Sequence, residues 1–186
     1  VEDGACTAPV SQGSARHSSY YGTSSFDNHP VTWIAWTQAK EYCQWAGARL
    51  PTEAEWEKAA RGTDGRDYPW GNSTPDCTRA NHRGGMLCAG DTSQAGSYPT
   101  GASPYGALDM AGNVWEWVAD WYDSDYYANS PANNPQGPTS GYERVLRGGS
   151  WEVLSPVLRS AYRYYLHPES RDNDFGFRCA ADSPGE

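Results

Sequence analysis

The sequence predicts an α+β fold with little regular secondary structure, on two observations. Only 20% of the 186 residues are charged, against 20 Gly, 9 Trp and 13 Tyr. Much of the chain is therefore turn or large ring rather than helix surface, which suits a loop-rich fold held by aromatic packing. The second observation is the order of the periodic segments: two short helical patterns lie in the N-terminal half and only short strand-like runs follow. The length suits one domain, residues 1–186, and is short for two. No linker is long or biased enough to divide the chain, and nothing repeats internally.

Residues 1–30 are rich in Ser, Gly, Tyr and His without periodicity and read as loop. Residues 31–36, Val-Thr-Trp-Ile-Ala-Trp, alternate as a strand does. Thr37 then caps a helix that carries Ala39, Tyr42, Cys43 and Ala46 on one face and stops at Gly47. Thr52 and Glu55 form a capping box for a second helix, which runs to about Arg61 and ends at Gly62. Beyond it, residues 68–71, 97–99 and 105–106 are ring-packing turns. Residues 114–118 and 144–147 read as short strands, and residues 123–142 as a Tyr/Asn/Pro/Gly loop.

A net charge of −9 with no Lys/Arg cluster leaves no footprint for nucleic acid or an acidic membrane surface. No apolar run approaches the roughly 20 residues needed to span a bilayer as a helix, and the chain opens without a charged and then apolar leader. Common enzyme signatures are missing: there is no Gly-x-Ser-x-Gly elbow, no phosphate-binding Gly-rich loop before a helix and no His-Glu-x-x-His. His17, His29, His82 and His167 include no i, i+4 pair and read as loop or surface residues rather than ligands.

Six segments carry a resemblance. They are residues 30–36, Gly47 to Glu57, Tyr68-Pro69-Trp70-Gly71, Asp109 to Trp117 with its Gly112-Asn113-Val114-Trp115-Glu116-Trp117, Arg147-Gly148-Gly149-Ser150-Trp151, and Gly176-Phe177-Arg178-Cys179-Ala180. In this order, over nearly the whole chain, they resemble the formylglycine-generating enzyme (sulfatase-modifying factor) family. The resemblance implies a C-type-lectin-like α+β domain and a bridge from the first helix to the closing motif, Cys43 to Cys179. It also implies that an N-terminal strand or hairpin is missing before Val1. Of the five cysteines, Cys77 and Cys88 flank a short loop and make the second expected pair, with Cys6 outside both. Two bridges imply an extracytoplasmic setting; the competing expectation is buried reduced thiols.

The family binds Ca²⁺ through positions matching Asp109, Gly112, Val114 and Glu116, two carboxylates and two carbonyls of the kind a hard cation prefers. The alternative is that Asp109 and Glu116 cap turns or pair with Arg. A second, looser site maps to Asn81, His82 and Asp91. The family's enzymes hold copper with two cysteines between Ser150 and Gly176; those positions here read Val153 and Leu158. Soft thiolates are what Cu(I) requires, so copper is not expected and no catalytic residue is assigned. The family's iron branch uses histidines in an additional helical domain that this chain does not match.

Residues 152–175 are similar in layout to the ligand-binding variable proteins of diversity-generating retroelements, which share the lectin-like fold. Arg159, Ser160, Ala161, Arg163, Pro168 and Arg171 stand as fixed positions among Val153, Leu154, Val157, Tyr162, Tyr164, Tyr165, Leu166, Ser170, Asp172, Asp174 and Phe175. None of the latter is Lys, Gln, Glu, Met or Trp, as randomised Asn codons require. The expected contact residues are Trp151, Val153, Leu154, Tyr162, Tyr164, Tyr165, His167 and Phe175, since rings on a rigid frame give contact area at little entropic cost. Arg159, Arg163 and Arg171 are expected to hold loop carbonyls. These readings give an exported, calcium-stabilised, non-catalytic domain that binds a protein partner or an exposed ligand. An oxidoreductase with a rearranged metal site and a structural subunit of a larger assembly are the alternatives.

Overall fold

The structure, a computed structural model, describes residues 4–84 and 87–182. The expectation about what precedes Val1 falls outside them. Helix α1 spans Trp36–Trp45 and helix α2 spans Glu53–Arg61. Strand β1 follows at Trp115–Trp121, a single helical turn α3 at Tyr126–Asn129, and strands β2 at Arg144–Arg147, β3 at Tyr164–Leu166 and β4 at Phe175–Phe177. The strands form one sheet in the order β3-β2-β1-β4, antiparallel across β2 and parallel between β1 and β4.

The α2 capping box is present: the Glu55 amide donates to Thr52 Oγ1 at 3.2 Å and the Thr52 amide to Glu55 Oε2 at 2.8 Å. Helix α1 begins earlier than its Thr37 suggests. Ala35 is its N-cap, and Gln38 Oε1 accepts the Ala35 amide at 2.9 Å, half of a capping box without a hydroxyl. Residues 31–36 are not a strand. Val31, Ile34 and Trp36 do point to the core. Their backbone, however, bonds to scattered carbonyls, the Trp33 amide to Asp172 O and the Trp36 amide to Pro168 O, with Trp33 in the left-handed region at φ 60°. The expected strands at 114–118 and 144–147 are β1 and β2, and the loop 123–142 contains the turn α3.

Alternation along β1 divides the core into two layers. Trp115 and Trp117 face α1 together with Leu146, Phe175, Ala39 and Cys43, while Val118 and Val145 face α2 together with Trp56, Ala60 and Met110. Burial of several indoles on both faces, at about 2–3 kcal/mol each, compensates for the scarcity of regular structure. Both expected disulfides are present: Cys43–Cys179 joins α1 to the chain just beyond β4, and Cys77–Cys88 closes a short loop.

Candidate functional site

Residues 150–174 leave the sheet after β2 and return as β4, contributing β3 on the way. Ser150 Oγ donates to Asp174 Oδ2 at 2.6 Å and closes the two ends of the segment. Its middle is clamped by Arg147, wholly buried, which donates to the carbonyls of Ser160, at 2.7 Å, and Tyr162, and to Glu57 Oε2. Arg163 forks onto the buried Glu53 carboxylate at 2.7 and 2.8 Å and reaches Asp123 O at 3.0 Å. Arg171 donates to Glu169 O, at 3.0 Å. Arg163 and Arg171 thus take the carbonyl-holding role expected of them. Arg159 does not, its side chain being exposed with no such bond among the described residues, and Arg147 adds a clamp that the motif alone did not reveal.

The expected contact residues separate into two groups. Leu154, Tyr162, Tyr165 and His167 are exposed, and Val153 and Tyr164 are half-buried. Tyr142, 77% exposed, lies with its ring centroid 5.3 Å from that of His167 and extends the patch from a loop that sequence reasoning passed over. Trp151 and Phe175 belong to the interior instead, each 6% exposed. The Trp151 amide donates to Asn113 O, and Phe175 meets Trp117 edge-on at 6.0 Å from within the β4–β1 ladder. Alternation along β3 also divides its rings: half-buried Tyr164 packs on Trp115 toward α1, whereas exposed Tyr165 stacks on Tyr122, centroids 3.7 Å apart, toward α2.

Val153 and Leu158 come together around Gly149, where a Cβ would lie 2.8 Å from Leu158 Cδ2 and 3.1 Å from Val153 Cγ2. Leu158 is wholly buried among Tyr68, Ala80 and Ala111, with Val153 packed on the same cluster. Two apolar side chains offer a metal no donor atom, so these positions do not fit copper.

Asp109, Gly112, Val114 and Glu116 line one cleft of about 350 Å³, together with Gly96 and Arg178. The loop is built on left-handed backbone at Asp109, φ 56°, Gly112, φ 80°, and Asn113, φ 68°. Only glycine fits at 112, where a Cβ would stand 2.3 Å from Asn81 O. Glu116 does pair with an arginine: Arg178 Nε and Nη2 donate to its two oxygens at 2.6 Å each, and the Trp56 indole adds a third bond at 2.6 Å. Asp109 is differently placed. Burial raises its pKa, and among the described residues its side chain accepts from the Gly96 amide alone, at 2.7 Å. Of the two carboxylates in this cleft, Glu116 is engaged by Arg178 and Trp56, and Asp109 is the side-chain oxygen donor left for a hard cation.

At the second position, Asp91 Oδ2 accepts from Ser14 Oγ at 2.5 Å and the Arg16 amide at 2.9 Å, and its Oδ1 from the Thr92 amide at 2.8 Å. Asn81 Oδ1 accepts the Ala89 amide at 3.2 Å and His82 O accepts the Cys88 amide, so protein donors already occupy these groups. Among the described residues no three His, Cys, Asp or Glu side chains converge as a metal cluster.

Residues 3–183 match the family described as the sulfatase-modifying factor enzyme 1-like domain. The chain belongs to this family. It is 46% identical over 175 residues to the formylglycine-generating enzyme of Thermomonospora curvata, covering 83% of this chain and 56% of that protein. It is 45% identical over 158 residues to the serine/threonine-protein kinase pkn1 of Chlamydia caviae, covering 83% of this chain and 24% of that one. Among solved structures, Treponema denticola variable protein 1 shares the fold, with a TM-score of 0.66 and 23% identity over 82% of this chain and 70% of that one. The chain spans only a quarter to just over half of the length of these two curated relatives. Family membership therefore shows what this sulfatase-modifying-factor-like domain is built like, and its site decides what it does.

Proposed function

We propose that this domain is a non-catalytic binding module that presents the exposed rings around β3, Tyr162, Tyr165, His167 and Tyr142 with Leu154, to a protein partner. The observation that carries the reading is the pair Val153 and Leu158, which fill with apolar contacts the positions where the family's enzymes place copper-binding thiolates. Above that plug the backbone is clamped by Arg147, Arg163 and the Ser150–Asp174 bond, while the rings attached to it are open to solvent. Such a frame gives contact area with little ordering cost. A calcium ion in the cleft lined by Asp109, Gly112, Val114 and Glu116 adds to this reading by fixing its own loop, with Asp109 as its side-chain ligand. Two disulfides support function outside the cytosol, and no helix among the described residues is long and apolar enough to cross a membrane.

Oxygen consumption of the copper-treated protein with a cysteine-containing peptide should stay at the level of the peptide alone. In parallel, chemical crosslinking in the native extracytoplasmic fraction should yield a discrete partner that the Tyr162→Ala, Tyr165→Ala double variant no longer captures. Copper-dependent turnover by the folded protein, above that of the peptide with copper alone, would overturn the reading.

A further inference from the structure

On the α1 side of the sheet, with none of residues 151–175 in its lining, lies a cleft of about 380 Å³ lined by Trp36, Lys40, Leu50, Trp121, Pro138 and Arg144 among others. Arg144 sits flat between two indoles, its guanidinium carbon 3.7 Å from the Trp36 ring centroid and 3.5 Å from that of Trp121. Nη1 donates to Ala119 O at 2.6 Å, and Nε is buried without a partner. Lys40 Nζ lies over the Trp36 ring at 5.3 Å, exposed and in no ion pair among the described residues. Arg49, also on the wall, is neutralised by Glu55 at 2.7 Å and Asp182 at 2.9 Å. The lining contains no carboxylate, although the chain as a whole carries a net charge of −9. Asp120, the nearest acid acting on Arg144, accepts the Glu53 amide and so faces α2.

We propose that this cleft binds a carboxylate, with Arg144 as the fork and Lys40 as the second charge. The indoles cover both faces of the guanidinium, so a ligand can approach only in its plane, the direction from which a planar carboxylate makes paired hydrogen bonds. Leu50, Pro138 and the indole edges offer an apolar wall for the carbon chain behind the carboxylate. The wall is fixed, because Gly141 packs directly on Trp121, where a Cβ would stand 2.8 Å from the Trp121 Cβ. Burial pushes the Arg144 pKa down to about 10, so a bound anion also relieves a cation held in a poorly solvated place.

The test is titration of the whole domain at low salt, following the indole N–H resonances of Trp36 and Trp121. The probes are butyrate, a Gly-Ala-Leu tripeptide with a free C-terminus, its C-terminal amide, and inorganic phosphate. Free carboxylates should shift both resonances with a Kd of about 1 mM, and the amide should not. Arg144→Lys keeps the charge and removes the fork, so it should weaken binding about tenfold, and Lys40→Ala about threefold. The melting curve of each variant reports whether it is folded; Lys40 is exposed, so its variant tests the site even if Arg144→Lys is not. A tripeptide that binds about tenfold more tightly than butyrate identifies a chain terminus as the ligand, and the reverse a small acid. Silence of both indoles, or phosphate binding as tightly as butyrate and insensitive to Arg144→Lys, overturns the proposal.

Discussion

Asp174 closes the presented segment by accepting from Ser150, yet it is a carboxylate 7% exposed, and burial raises its pKa from 3.8 to about 6, with Asp172 and Glu152 adding to the rise. The folded state therefore binds its proton more tightly than the unfolded chain does. Stability from this group is complete below about pH 3.8, is lost as the pH rises, and is gone above about pH 6. The difference of roughly two pKa units corresponds to about 3 kcal/mol. Asp174→Asn keeps the shape and the oxygen that accepts from Ser150, and its amide hydrogens can point to the two nearby carboxylates. At pH 7.5 the variant should be more stable by about 1–3 kcal/mol, a rise in Tm of about 5 °C for a chain of this size. The gain should shrink through pH 6 and vanish near pH 4. Thermal melts of both proteins from pH 4 to 8 with the disulfides intact measure this directly. A variant less stable than the parent at pH 7.5, or a gain that persists unchanged at pH 4, would refute the reasoning: Asp174 would then be ionised and stabilised by groups other than those named.

Two further outcomes follow from the same structure. Calcium at about a hundredfold excess over its Kd should stabilise the domain by about 2.7 kcal/mol, and chelator should reverse it. Asp109→Gly, which accepts φ 56° and removes the side-chain oxygen, should abolish the effect in melts. Because the Asp109 pKa is raised, calcium stabilisation should weaken on acidification sooner than for an ordinary carboxylate. Replacing both Cys43 and Cys179 by Ser should cost about 5 kcal/mol and replacing both Cys77 and Cys88 about 3, from closed separations of 136 and 11 residues. Denaturant unfolding of the two double variants checks the order.

The parts of the fold legible in the sequence were those fixed by local chemistry. The Thr52–Glu55 box and Gly62 bound α2 because capping partners lie within one turn of each other. Residues 31–36 misled because side-chain alternation reports burial, not ladder pairing, and here Ile34 and Trp36 are buried without a strand. Strands β3 and β4, three residues each, are too short for a period, and β4 pairs with β1 across some sixty residues of chain. At the site, motif spacing located Asp109 and Glu116 in one cleft but could not show that Glu116 also neutralises Arg178. The Arg144 sandwich joins Trp36, Trp121 and Arg144 from distant segments, and no sequence window contains it.

The burial pattern also narrows which positions of residues 152–175 are open to change. Asp174 and Phe175 were grouped by layout with the rings that face solvent, but both are buried, the first holding Ser150 and the second packed on Trp117. Truncation of Asp174 removes the bond from Ser150, which Asp174→Asn keeps, and truncation of Phe175 leaves a cavity worth several kcal/mol. Leu154, Tyr162 and His167 differ: their side chains are exposed. The Tyr162 carbonyl, not its ring, receives the Arg147 clamp. A segment whose backbone is held by buried arginines and whose side chains face outward separates stability from recognition. Burial therefore places the freedom to change at 154, 162, 165 and 167 rather than at the ends of the segment, and under the proposed binding role a change there alters the partner without loosening the frame.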